Sequence, residues 1–266
     1  SADESEMPES IIYDMGPAFA GWNAGKAIVL PAISEYHTSA PSVFIASHDD
    51  NDHRGGLKEL QENYPATPVF SGQAERLPGS RQCVPGQLTL TRKLQVRILW
   101  PIQRDNTESN LPQDLSSEPI HRNLISDNNR SCVVSITHEQ IHILLPGDLE
   151  ADGQRLLMQV LEERNQLHLL ESDILLLPHH GSKNAFNPFF LARVNPRLVL
   201  VSSGHNNAYG HPHPLFTNWF KNRKVPLFDT GTVGAIQVSA AFGDLKRSLT
   251  GKNNNTGSLF LSDKRN

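Results

Sequence analysis

The chain has 266 residues, 38% hydrophobic and 20% charged, which is enough apolar content for one large or two small cored domains and too much for a disordered chain. Its formal charge of −4 excludes a nucleic-acid binder that works through a globally basic surface. Its apolar runs, such as "DILLLP", fall short of the ~18 residues of a membrane span, and the polar start "SADESEMPES" lacks the apolar core of a signal peptide, so the chain by itself is expected to be soluble, with no span of its own. Two cysteines, Cys83 and Cys132, are too few for a structural zinc cluster. One disulfide stays open for an oxidising compartment, with free thiols as the expectation.

In chain order, "SIIYDMG" and "PSVFIAS" read as short buried strands, with "AGKAIVLPAISEYH" between them as a helix. After "ASHDDNDHRGG", Leu57, Leu60 and Tyr64 of "LKELQENY" fall at helical spacing, and "ATPVFSG" is the next strand. Leu88 to Pro101 alternates broadly at period two, as antiparallel β-structure does. Residues 103 to 130 are polar and turn-rich and predict a long surface loop. Then come a hairpin-like pair, "SCVVSI" and "IHILLPGD", an amphipathic helix in "EADGQRLLMQVLEERNQ", and two core strands, "DILLLP" and "RLVLVSS". Residues 246–266 predict a low-complexity, frayed tail behind a single domain spanning 1–245, since no linker splits the chain.

Polar clusters stand where strands end, the place where α/β layers put ligands. The first is His48, Asp50, Asp52 and His53. Carboxylates so close repel one another unless a cation neutralises them, and histidine is the commonest transition-metal ligand. His48 and Asp50 can grip one cation while Asp52 and His53 reach a second; the alternative is a solvated turn with Asp52 capping the next helix. In the second cluster, Asp148 follows a glycine at the end of an apolar strand, either as a turn residue or as a carboxylate that bridges two ions. The third, "LLLPHHGSKN", delivers His179 and His180 to a glycine turn; His179 is preferred as ligand because its place mirrors His48, with His180 supporting it. In the fourth, "SSGHNNAYGHPHP", Pro212 and Pro214 stiffen the backbone around His211 and His213, although a proline-rich turn alone would look the same. From Ile174 to Phe228 there is no Asp or Glu, while Lys183, Arg193, Arg197, Lys221, Arg223 and Lys224 are basic, which suits an anionic ligand.

Taken in order, "YDMG", "SHDDNDHRGGL", "LLPGDLE", "LLLPHHGS" and "GHNNAYGHPHP" resemble the metallo-β-lactamase superfamily, and within it the C-terminal soluble domain of the ComEC competence proteins of bacterial DNA uptake. The resemblance runs from about Ile11 to about Val238 and includes "QCVPGQLTL", "DNNRSCVVSI" and "FDTGTVGAIQV". It implies an α+β fold, the four-layer αββα sandwich. Metal ligands would be His48, Asp50, Asp52, His53, a bridging Asp148 and His179, with Asp14 and His180 orienting them from behind. The implied cofactors are two divalent ions, manganese or zinc, with magnesium also open; Asp50 stands where the superfamily usually has histidine, which makes the site harder and richer in oxygen. No small organic cofactor is implied.

Three departures matter. The superfamily usually has another histidine ligand where this chain has "DNN", Asp127 to Asn129, leaving one metal short of a ligand. Ala208 stands where the pattern tends to have a basic residue. The usual first strand with an Asp-x-Gly-Gln-Gly motif is missing, so either the sheet lacks it or the chain is a piece of a longer product, and the second is the expectation.

The chemistry the resemblance implies is metal-dependent phosphodiester hydrolysis, a deoxyribonuclease that degrades the non-transported DNA strand during natural transformation. Asp52, Asp148, His211 and His213 would carry catalysis, and Lys183, Ser182, Asn206 and Asn207 would position the substrate. The implied partners are single- or double-stranded DNA and the membrane-channel portion of the parent protein, with the domain on the periplasmic side of the inner membrane. Two rivals remain: a non-catalytic DNA-guiding or assembly module, which the "DNN" departure favours, and a hydrolase of small phosphodiesters or esters.

Overall fold

Val43–Ala46 (β4) is apolar and buried at every position, so it cannot be a strand with one wet face; it lies inside a parallel sheet. The computed structural model describes residues 10–36, 40–89, 94–102, 126–138, 140–241, 244–250 and 259–261. The chain divides into two compact units, Ser1–Val134 and Ser135–Asn266, and the division falls inside a strand, Val133–His138 (β9), with no linker there.

In unit 1, β4 is flanked by Ile11–Tyr13 (β1) on one side and by Val69–Ser71 (β5) and then Arg81–Gln82 (β6) on the other, all parallel. Ala18–Phe19 (β2) and Trp22–Asn23 (β3) form a small antiparallel ribbon. The helix expected after it begins as a π-helical turn, Gly25–Val29, and continues as Leu30–Tyr36 (α1). Asn51–Arg54 (α2) and Leu57–Asn63 (α3) follow β4. Phe44 and Ala46, two residues apart and so on one face of β4, pack with Met15, Ile33, Leu57, Leu60, Val69 and Leu77 into one core. Fully burying a side chain such as Phe44 stabilises by roughly 1.5–3 kcal/mol. The expected antiparallel stretch is present as Gly86–Thr89 (β7) paired with Leu94–Trp100 (β8), Gly86 opposite Ile98.

Unit 2 carries Ile141–Leu145 (β10), Ile174–Leu176 (β11), Leu198–Val201 (β12) and Leu227–Asp229 (β13), parallel and adjacent in that order. Each crossover contains a helix: Ala151–Glu163 (α4), Pro188–Val194 (α5) and Pro214–Asn222 (α6), as parallel pairing requires. The buried residues of α4, Gly153, Gln154, Leu156, Leu157, Val160 and Leu161, make a helical stripe. Because the four strands are parallel, the loops after them, carrying Asp148, His179 and His180, and His211 and His213, all leave from one edge of the sheet.

A short helix, Thr230–Val233 (α7), leads to Ala235–Ala241 (β14), Asp244–Thr250 (β15) and Leu259–Leu261 (β16), an antiparallel sheet. Of the stretch 246–266 expected as a low-complexity tail, residues 246–250 and 259–261 pair in this sheet, and the others lie outside the described residues. Of the predicted surface loop, residues 103–125 lie outside the described residues. Among the described residues no helix is long and apolar enough to cross a membrane. The chain is a mixed α/β protein of sheets and helices, as its fold class led us to expect.

Candidate metal centre

His48 and His53 sit side by side beyond β4, both buried, their ring centres 4.2 Å apart. Asp14, at the end of β1, holds this arrangement from behind. Its Oδ1 accepts the Ser47 backbone N–H at 2.7 Å and its Oδ2 lies 2.8 Å from His53 Nδ1. A carboxylate accepts, so His53 carries its proton on Nδ1 and presents a lone pair at Nε2. Ser47 Oγ lies 3.0 Å from His48 Nδ1 and 3.1 Å from His53 Nδ1.

The opposite ring atoms meet carboxylates: His48 Nε2 is 3.3 Å from Asp50 Oδ2, and His53 Nε2 is 3.7 Å from Asp52 Oδ2. At His53 a lone pair and a carboxylate oxygen face each other and repel unless a cation or proton lies between, so these donors fit a divalent ion; at His48 the Ser47 hydroxyl can donate or accept and sets no tautomer. The capping alternative fails here. Asp50 occupies the N-cap position of α2 with no side-chain capping bond, and Asp52 falls in the first turn.

In unit 2, Gly147 and Asp148 follow β10. Asp148 is buried; its Oδ2 is 3.5 Å from His179 Nε2 and its Oδ1 is 3.7 Å from His180 Nε2. His179 and His180 both adopt left-handed backbone, φ 49° and 53°, which splays their rings to the two sides of Asp148. At Gly181, φ 83°, a Cβ would come within 2.6 Å of Pro212 Cβ, so glycine lets the two loops close together.

The two histidines, of which the sequence favours His179, differ in the partner of their other ring nitrogen. His180 Nδ1 lies 2.7 Å from the Ser202 carbonyl and must donate to it, which fixes the tautomer and leaves the Nε2 lone pair beside Asp148. His179 Nδ1 instead lies 3.6 Å from Glu150 Oε1. Both are therefore candidate ligands, with the backbone-anchored His180 the better oriented.

His213 caps α6: its Nδ1 accepts the Leu215 N–H, leaving a proton on Nε2. Burial, followed by the neighbouring His179 and His180, pushes the His211 pKa below its ordinary value, against a smaller upward pull from Asp148. The protonated form of His211 is thereby disfavoured. The Asn207 amide is committed twice to His211, Nδ2 donating to its carbonyl and Oδ1 accepting its N–H, each at 2.8 Å. Asn207 thus holds the loop and is not a hand for substrate. Lys183 and Asn206 are exposed, while Ser182 is buried, its N–H bonded to the His179 carbonyl. The acid-free segment is less open than its composition suggests. Arg193 pairs with Glu171, Arg197 pairs with Asp173, and Arg223 stacks over Trp219.

Within the "DNN" stretch, the Asp127 carboxylate is engaged by two neighbours. Its Oδ1 accepts from Gln73 Nε2 at 2.7 Å and its Oδ2 from Arg76 Nη1 at 2.6 Å. Cys83 and Cys132 are joined in a disulfide, correcting the expectation of free thiols; both are fully buried in unit 1. Sequence reasoning missed Ser47, Gln73, Glu150 and the Ser202 carbonyl. Glu150 alone had a signal, two residues after Asp148; a backbone carbonyl and a buried amide have none.

No protein-family model matches the chain. It is 27% identical over 236 residues to "Competence protein ComA" of Neisseria gonorrhoeae, covering 89% of this chain and 30% of that protein. It is 25% identical over 235 residues to "Recombination protein 2" of Haemophilus influenzae, covering 87% and 26% respectively. It is 22% identical over 231 residues to "ComE operon protein 3" of Bacillus subtilis, covering 81% of this chain and 27% of that protein. The chain thus spans less than a third of the length of these relatives. Among solved structures it is similar to the metallo-β-lactamase fold protein YhfI from Bacillus subtilis, at 14% identity, TM-score 0.46 and 83% coverage of each chain.

Proposed function

We propose that this chain is a metal-dependent phosphodiester hydrolase that acts on DNA during natural transformation, beside the membrane-channel portion of a longer protein. The observation that carries the reading is the pair of buried imidazoles, His48 and His53, each with Nε2 facing a carboxylate of the same loop. The naming of two relatives as competence and recombination proteins supports the DNA role. The disulfide supports placement in an oxidising compartment such as the periplasm.

His48, Asp50, Asp52 and His53 in unit 1, and Asp148 with His179 or His180 in unit 2, are the ligands we assign, to manganese, zinc or magnesium. Such ions lower the pKa of water towards neutrality and neutralise charge on phosphate oxygens. The chain's own groups do the rest. Asp14 keeps the His53 proton on Nδ1, and Ser202 does the same for His180. The His213 Nε2–H is available to donate to a phosphate or leaving oxygen, and exposed Lys183 and Asn206 can contact the nucleic-acid backbone.

The test is hydrolysis of labelled single-stranded DNA with chelator, zinc, magnesium or manganese, beside Asp52→Ala and Asp148→Ala. Cleavage that requires metal and is lost in both variants is expected. DNA binding without cleavage under every ion would favour a guiding module.

A further inference from the structure

Gln73 is polar and fully buried, and it touches the loop that carries His48 and Asp50. Its Oε1 accepts the Asp49 backbone N–H at 2.8 Å, and its Nε2 donates to Asp127 Oδ1 at 2.7 Å. The orientation of the amide is set by chemistry: a peptide N–H only donates and a carboxylate only accepts, so oxygen must face Asp49 and nitrogen must face Asp127. Arg76 then holds the other carboxylate oxygen. From the far side, Arg54 Nε donates to the Asp49 carbonyl at 2.9 Å. Asp49, between His48 and Asp50, is thereby gripped at both its N–H and its C=O.

We propose that Arg76, Asp127 and Gln73 form a relay that positions the His48–Asp50 backbone for metal binding, and that Asp127 serves here as the anchor of this relay and not as a ligand. This rests on the metal-binding reading of the His48–His53 loop. Gln73 and Asp127 are positioning residues; neither touches the ion. Removing Asp127 takes away the acceptor of the Gln73 Nε2–H and with it the anchor that fixes the amide against the Asp49 N–H.

The relay makes an exchange experiment possible. In Gln73→Glu, two carboxylates face each other. In the double variant Gln73→Glu with Asp127→Asn, the amide and carboxylate trade places: the glutamate still accepts from Asp49 N–H, the asparagine donates to it, and its carbonyl oxygen accepts from Arg76. Mn²⁺ binding to the full chain is read by electron paramagnetic resonance, with melting temperature and Asp49 amide exchange measured alongside. Gln73→Glu is expected to weaken Mn²⁺ binding about 10–100-fold, the range for partners behind a ligand shell. The exchanged double variant is expected to return to within about twofold of wild type. Asp49 amide exchange speeds up in Gln73→Leu, with or without metal.

Gln73→Glu binding Mn²⁺ as wild type does, whatever its melting temperature, overturns the relay, as does a double variant no better than the single. A wild-type chain that binds no Mn²⁺ overturns the metal reading, and the relay with it; the wild-type sample alone distinguishes the two failures.

Discussion

Replacing Cys83 and Cys132 by alanine cuts a covalent link between two fully buried points separated by 49 residues. In the chain-entropy model a loop of that size contributes about 4 kcal/mol at 25 °C, mostly by restricting the unfolded chain, and measured values cluster at about 2–4 kcal/mol. The native segment does not depend on the bond alone. The Cys132 N–H bonds Ser47 O at 2.8 Å, Trp100 Nε1 bonds Asn129 O at 2.7 Å, and Asp127 is held by Gln73 and Arg76. The folded geometry should therefore survive while the unfolded state gains freedom. With an m-value of about 3 kcal/mol/M in urea, the unfolding midpoint of the oxidised protein should exceed that of the double alanine variant by roughly 1 M. Fluorescence of buried Trp100 follows unit 1 in this assay, and Mn²⁺ affinity under native conditions should match wild type. Equal midpoints, or two titratable thiols in the oxidised, denatured protein, would refute the reasoning.

Gly72→Ala should be severely destabilising. A Cβ there would lie 1.9 Å from the Arg130 carbonyl oxygen and 2.6 Å from that of Ser47, backbone atoms that cannot swing aside, so we expect a loss of about 3 kcal/mol or more, read as a collapse of the melting transition or of soluble yield. Asn187→Ala removes the side chain that accepts from Phe189 N and Phe190 N at the start of α5, and should cost about 1 kcal/mol in chemical denaturation. Arg76 beside Asp127 holds that carboxyl below its usual range, the main cause being their hydrogen bond. A depressed carboxyl binds its proton more readily in the unfolded chain, so its contribution is full above the unfolded value of about 3.9 and is lost as pH falls through the folded value. Asp127→Asn should flatten the decline of the urea midpoint below pH 4; an unchanged slope would show that Asp127 does not contribute to it.

The elements were largely legible in the sequence because they depend on local pattern. A strand apolar at every position, such as β4, and a 3.6-residue stripe, such as that of α4, each state which faces are buried. The clusters at strand ends were legible for the same reason: His48, Asp50, Asp52 and His53 are close in sequence, so their proximity needed no fold. Tertiary structure alone decided what each group does with its second atom. Asp14 and His53 are 39 residues apart, and Gln73 and Asp127 are 54 apart. No periodicity reaches across such gaps, and the Ser202 carbonyl that orients His180 has no side chain to be read. Counting acids between Ile174 and Phe228 likewise missed Glu171 and Asp173, which stand just outside that window and neutralise two of its arginines. The grouping of donor residues follows from local sequence because a tight turn brings its own residues together; tautomers, paired charges and the disulfide follow from which distant segments meet, and that is fixed by the packing of the whole chain.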